Sequence, residues 1–257
     1  MSPILFQFSD YERESTIQKH DFYCEQASKR LISQFSDLSA EADQFYETKM
    51  QVPANSSICD ESYAEWAWEE AAEHYGMLVE MRQDVVLGTL AGMYHRWDKK
   101  FREWIEHNLS FFLSGEAFKA AIWKETTSNL FDLFNGFGWD IKSSEFSKGI
   151  ERLRLVVNVY KHGDGRAWNE IKTNHPDLVR DPFSVALQSM ENEKSGFYIS
   201  LRHRNLLVTE NHYNDFVAAI SSFWSSVPSK IHESEEEYIS SWLEKAMKKD
   251  KASCESR

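Results

Sequence analysis

Within the stretch IERLRLVVNVYKHGDGR, Ile150 to Arg166, a guanidinium, an amide and an imidazole recur at every fourth position, as Arg154, Asn158 and His162. Residues four apart on a helix stack along one line, so the three share a face. With about 100° of turn per residue, Glu151 and Lys161 fall into the same narrow wedge. Leu153, Leu155, Val156, Val157, Val159 and Tyr160 occupy nearly all the rest of the circumference, with Arg152 the exception. Arg154 and Lys161 suit the grip of a phosphodiester. His162 suits a proton transfer, because an imidazole ordinarily titrates nearest neutrality. Asn158 can orient a hydroxyl or the imidazole. Together these groups fit cleavage of a phosphodiester by an internal 2′-hydroxyl, with no metal. The same wedge also fits a plain solvated edge, in which Lys161 and His162 complement the negative end of the helix dipole.

The element that must carry this wedge is a helix within SSEFSKGIERLRLVVNVYKHGDG, stopped by Gly163 and Gly165. Being apolar over some two thirds of its circumference, it is expected to be buried on several sides. Before it runs a very long helical pattern, from about Tyr63 to Phe112. Its apolar stripe is Leu78, Met81, Val85, Leu90, Met93, Trp97, Phe101 and Trp104. Asp60 or Ser62 is placed to cap it, with Glu65 completing a capping box after Ser62. A continuous helix of about 45 residues would span roughly 70 Å, more than one globular domain, which predicts a bend or break near Gly76 or near Gly88 and Gly92. The four-residue spacing of Gly88 and Gly92 also admits close approach of a second helix.

Residues 10–50 show helical spacing at Ile17, Cys24, Leu31 and Phe35, and 51–62 reads as a loop around Pro53. SGEAFKAAIWKETTSNLFDLFNGFGWD reads as one helix capped by Ser114. Residues 166–195 read as irregular. GFYISL, RHRN and LLVTE read as strand, turn and strand. Thr209 is placed to cap a helix from Glu210 to about Ser225, and SEEEYISSWLEKAMKKDK reads as a peripheral helix with a frayed tail. The expected fold class is an all-α bundle with a very long helix or helical hairpin and a small C-terminal β-hairpin. Its expected parts are an acidic helical segment over 1–60, a helical core over 61–165, and an irregular segment, hairpin and last helices over 166–257.

Composition bounds the function classes. Of 257 residues, 42% are hydrophobic, enough for a real core, while Gly 10 and Pro 5 are few for a many-stranded sandwich. The net charge of −12 is unevenly spread. Residues 1–80 hold 16 acids against 5 bases, whereas residues 81–257 are close to neutral. Around the wedge, Lys148, Arg152, Arg154, Lys161 and Arg166 face only Glu151 and Asp164, a local excess of three positive charges that suits a phosphate chain. Neither phosphate-cradling glycine motif is present, nor a GxSxG or an HExxH. Pairs such as Glu70 with His74 and Glu103 with His107 suit helix surfaces better than metal, so no metal and no cofactor are expected. Cys24, Cys59 and Cys254 form no CxxC pair. No apolar run is long enough for a membrane span, so a cytoplasmic protein is the simplest expectation. A separate feature is YAEWAWEEAAEHYG, where tryptophans and acids mix with no base between Glu61 and Glu80. It suits a solvated acidic face, or an acidic, aromatic surface that docks a basic partner or mimics nucleic acid.

VVLGTLAGMYHRWDKKFREWI followed by RLRLVVNVYKHGDG resembles the HEPN superfamily, small helical domains of prokaryotic toxin–antitoxin and phage-defence systems. The resemblance covers roughly Tyr63 to Gly165. Asn158-x3-His162 matches the polar residue and histidine of the family's short motif, Gly163 follows, and Asp98 stands where an acidic position falls. Val157 stands where the family has arginine, and the nearest candidate, Arg154, is separated from His162 by seven intervening residues rather than four to six. What the resemblance implies is a homodimeric, metal-independent endoribonuclease in a toxin–antitoxin or anti-phage setting, binding RNA. His162 would be general acid/base, Arg154 would stabilise phosphate charge, and Asn158 would position groups. Lys161, Arg152, Arg166 and Asp98 complete the expected site. The alternative is a subunit that keeps the fold without catalysis and binds a partner protein, antitoxin or defence subunit, through its acidic, aromatic surface.

Overall fold

A computed structural model describes residues 4–51, 60–180, 201–232 and 240–255. The order of elements is β1 (Ile4–Gln7), α1 (Asp10–Arg30), α2 (Leu38–Met50), α3 (Asp60–Leu109), α4 (Ala117–Lys124), α5 (Thr127–Asn135), α6 (Glu145–His162), α7 (Arg166–Asn174), α8 (Glu210–Ser226), β2 (Lys230–His232) and α9 (Ser241–Glu255). Short 3-10 turns occupy Ile32–Phe35, Pro176–Leu178 and His203–Asn205. Among the described residues the protein is all-α with one small antiparallel sheet, the fold class its periodicities predict.

That sheet joins the first described element to a strand near the C-terminal helix. β1 pairs with β2, Phe6 opposite Ile231 and Gln7 opposite Lys230. The segments expected to form a hairpin behave differently. GFYISL lies almost wholly outside the described residues, RHRN forms the 3-10 turn at His203–Asn205, and Leu206 makes an isolated bridge to Val179. β1 is further fixed to α3: the Trp104 indole donates to the Gln7 carbonyl (2.9 Å), and the Gln7 N–H donates to Asn108 Oδ1 (2.8 Å).

One aromatic core holds the body together. Phe101 of α3 is fully buried, with ring neighbours Trp97, Trp104, Phe131, Phe134 and Phe223 at centroid distances of 5.1–6.2 Å. Such stacked, tilted and edge-on contacts add to the burial of large apolar area. α6 enters this core through Ile150, Leu153, Leu155, Val156, Val157 and Val159, all buried, and it packs between α3, α7 and α8. Both of its ends are marked in the sequence. Ser144 accepts from the Ser147 N–H, and Gly163 closes the helix with φ +69, a conformation that favours glycine.

α3 is a single uninterrupted helix of 50 residues, about 75 Å at 1.5 Å per residue. It has no break at the expected glycines: Gly88 and Gly92 serve packing, and Gly76 continues the helix with open space beside it. A Cβ on Gly92 would lie 2.3 Å from the Tyr23 hydroxyl of α1, which donates to the Thr89 carbonyl at 3.1 Å. At Gly88 the Tyr160 hydroxyl of α6 comes within 3.5 Å of the same point. Nor must α3 bend around one core, since its N-terminal half packs on α2 instead. Tyr63 donates to the Lys49 carbonyl (2.6 Å), and His74 stacks on Phe45 at 4.3 Å, so α2 and this half of α3 run antiparallel as a two-helix arm. The apolar stripe divides accordingly: Leu90, Met93, Trp97, Phe101 and Trp104 are buried, whereas Met81 is exposed.

Three further expectations are corrected. The stretch from Ser114 makes two helices, and Ser114 does not cap the first. Asp250 of α9 does so instead, accepting from the Ala117 and Phe118 N–H groups at 2.9 Å each. Gly115, at φ +134, leaves room for that carboxylate, which a Cβ would meet at 2.2 Å. α9 is therefore no peripheral helix: Leu243 and Ala246 join the core. Residues 166–174, expected to be irregular, form α7, which buries Trp168 and Ile171. Cys59 and most of the loop expected at 51–62 lie outside the described residues.

Candidate functional site

Arg154, Asn158 and His162 do share one line on α6, and all three line one open cavity of about 560 Å³. Three other elements complete it. α5 brings its cap and first turn, Thr126, Thr127 and Ser128; the α6–α7 turn brings Gly163 and Gly165; α7 brings Arg166 and Glu170. Thr126 is committed to capping α5, accepting from the Asn129 N–H at 3.2 Å. α7 has no side-chain cap at Gly165, so its first-turn N–H groups add the positive end of a helix dipole beside Arg166.

The electrostatics are balanced rather than strongly basic. Arg154 is half-buried and held by Glu151, its Nε 2.8 Å from Oε2. That hydrogen bond, working against desolvation, raises the guanidinium above its ordinary value, so it stays charged. Arg166 and His162 are exposed, Asn158 is half-buried, and among the described residues none of the three side chains has a hydrogen-bond or ion-pair partner. An incoming anion therefore meets a free imidazole, a free amide and a free guanidinium, and must share Arg154 with Glu151. Beneath the cavity rim, the Tyr94 hydroxyl lies 3.1 Å from Thr127 Oγ1. Burial pushes that phenol up to about 12, so it acts as a neutral hydrogen-bonding group.

The turn that follows His162 is clamped from outside. Asp164 accepts from the His203 N–H (2.7 Å) and from Arg202 Nε (2.6 Å), and His203 Nδ1 stands 3.3 Å away. Desolvation pushes the Asp164 carboxyl up, but these hydrogen bonds and the Arg202 charge outweigh it and hold the group at about 2. The clamp fixes the junction between His162 and Arg166.

The other expected residues do not join this cavity. Arg152 lines the adjoining one and pairs with Asp177, which His212 Nε2 also approaches at 3.2 Å. The two cavities share Thr127, Ser128 and Glu151. Lys161 is exposed and lies outside the lining. Asp98 forms a bidentate pair with Arg102 (2.8 and 3.0 Å), whose other nitrogen donates to the carbonyls of Ile122 and Glu125. It thus ties α3 to the end of α4. Cys24 is buried, and desolvation pushes its thiol up to about 12, which leaves no nucleophile there. Among the described residues, no three His, Cys, Asp or Glu side chains gather as a metal site, and no helix is long and apolar enough to cross a membrane.

No family model, no characterised protein and no solved structure matches this chain.

Sequence reasoning missed the contributions of α5 and α7. Thr126–Ser128 lie far from the Arg154 line in sequence, and only the fold, which seats α5 on α3 through Phe131 and Phe134, brings them to the cavity. It also missed a more cationic groove between α1 and α3, about 610 Å³, where Lys19, Arg96, Lys99 and Lys100 outnumber Glu12 and Glu103. The cluster HRWDKK at residues 95–100 carried that signal, but Lys19 reaches it only through the fold.

Proposed function

We propose that the α6 cavity binds an RNA backbone and cleaves it by internal transesterification, with no metal required for the step. The observation that carries this reading is the convergence of Arg154, Asn158, His162 and Arg166 on one open cavity. His162 takes the proton of the 2′-hydroxyl, whose oxygen attacks the adjacent phosphorus. The bond from phosphorus to the 5′-oxygen breaks, leaving a 2′,3′-cyclic phosphate, and the 5′-oxygen takes a proton from solvent. Arg154 and Arg166 offset the charge that builds on the phosphoryl oxygens. Asn158, one turn before His162, orients the attacking hydroxyl. The setting is the toxin–antitoxin or defence type that the HEPN resemblance implies.

The test is cleavage of an end-labelled RNA oligonucleotide beside the same oligonucleotide with a 2′-deoxy sugar at each step. The expected result is RNA cut to cyclic-phosphate ends and intact DNA, with His162→Ala slower by about 10²–10⁴-fold. Intact RNA with folded wild-type protein would remove the catalytic reading. One observation favours the second reading, a non-catalytic interaction subunit: Arg154 is already neutralised by Glu151. Glu151→Gln separates the two, since it frees Arg154 and speeds cleavage only if the cavity is catalytic.

A further inference from the structure

The arm formed by α2 and the first half of α3 carries two features that a solvated helix pair does not need. Its aromatic and thioether side chains are open to solvent: Trp68 is 66% exposed, Tyr75 42% and Met77 56%. Trp68, Ala72 and Tyr75 fall at i, i+4 and i+7, so they form one ridge. Around that ridge the helix is acidic. Residues 60–84 hold eight acids against one base, Arg82. Among the described residues Glu65, Glu69, Glu73 and Glu80 have no ion-pair partner.

The groove between α1 and α3 is the inverse of this surface. Lys19, Arg96, Lys99 and Lys100 stand on its rim, and Met93 and Trp97 line it. Among the described residues none of the four cations is in an ion pair; Arg96 only lies over the Tyr23 ring, 5.0 Å from its centroid. An apolar floor with a basic rim suits an aromatic anchor flanked by acids.

We propose that the acidic arm of one copy docks in the basic α1–α3 groove of a second copy, with Trp68 as the anchor. A chain cannot fill its own groove. Trp68 and Arg96 stand 28 positions apart on one unbroken helix, about 40 Å along its axis. Two copies set antiparallel make the contact twice, which closes the assembly as a dimer. The contact is independent of the chemistry of the α6 cavity.

The experiment is sedimentation or light scattering across a concentration series, at low and high salt. The wild type is expected to rise from 30.1 kDa toward twice that mass at low salt and to fall back at high salt. Two variants reverse exposed charges without touching the core: Glu65→Lys with Glu69→Lys in the arm, and Lys19→Glu with Lys99→Glu in the groove. Each alone is expected to stay monomeric, and an equimolar mixture is expected to recover the dimer, because each supplies one compatible pair. Wild type monomeric at every concentration overturns the proposal. A dimer indifferent to both charge variants but lost with Trp68→Ser overturns the groove assignment in favour of arm-to-arm pairing.

Discussion

Phe101 and Trp68 stand on the same helix, yet the first is fully buried and the second is 66% exposed. The difference comes from what each half of α3 meets. The second half is surrounded by α1, α4, α6 and β1, whose Phe6 ring is 5.5 Å from Trp104 and 4.9 Å from Phe134. The first half packs on α2, so one stripe is covered and both flanks remain open. An aromatic residue in the body stabilises the fold. In the arm the same residue type costs little to remove and is better explained by something that covers it.

This contrast is open to direct attack, beginning with the body. Phe101→Ala leaves a cavity among five rings and is expected to cost about 3–5 kcal/mol in denaturant unfolding; a loss under about 1 kcal/mol would mean the ring cluster is not the core. Next is the cap that α9 supplies to α4. Asp250→Ala frees two first-turn N–H groups and should cost roughly 1–2 kcal/mol, with Asp250→Asn losing less. The clamp on the α6–α7 turn comes third and depends on pH. Because the folded state holds Asp164 at about 2 against an ordinary 3.8, its stabilising effect is complete above that ordinary value and is lost as pH falls from roughly 4 to about 2. The difference in Tm between wild type and Asp164→Asn should therefore be present at neutral pH and vanish in that acid window. The smallest effect is expected in the arm, where Trp68→Ser should move stability by no more than about 0.5 kcal/mol in dilute protein. A loss comparable to that of Phe101→Ala would erase the distinction between the two regions.

Much of the architecture was legible in local pattern. The period of the α6 stripe, Gly163 at its end and Thr209 at the start of α8 all fall where the sequence placed them. The line of Arg154, Asn158 and His162 was legible for the same reason, since it depends only on helical repeat. What local pattern could not carry was pairing at a distance. Nothing near Ala117 announces that its cap is Asp250, and nothing near Phe6 names Ile231 as its partner. The glycines of α3 misled because their sequence signature is the same for a kink and for a close contact. α7 was missed because its punctuation, Gly165 before it and Pro176 after it, resembles that of a loop.

The β1–β2 pairing also imposes a schedule. Phe6 and Phe8 are fully buried, yet the strand that holds them in place is made roughly 225 residues later. At translation rates of about 5–20 residues per second, these rings wait on the order of 10–45 s for their partner. During that interval β1 is an unpaired strand, with Phe6 in it and Phe8 just beyond it in water, the kind of segment that other chains can capture. A nascent copy is therefore vulnerable at β1, and it ceases to be so only when β2 emerges.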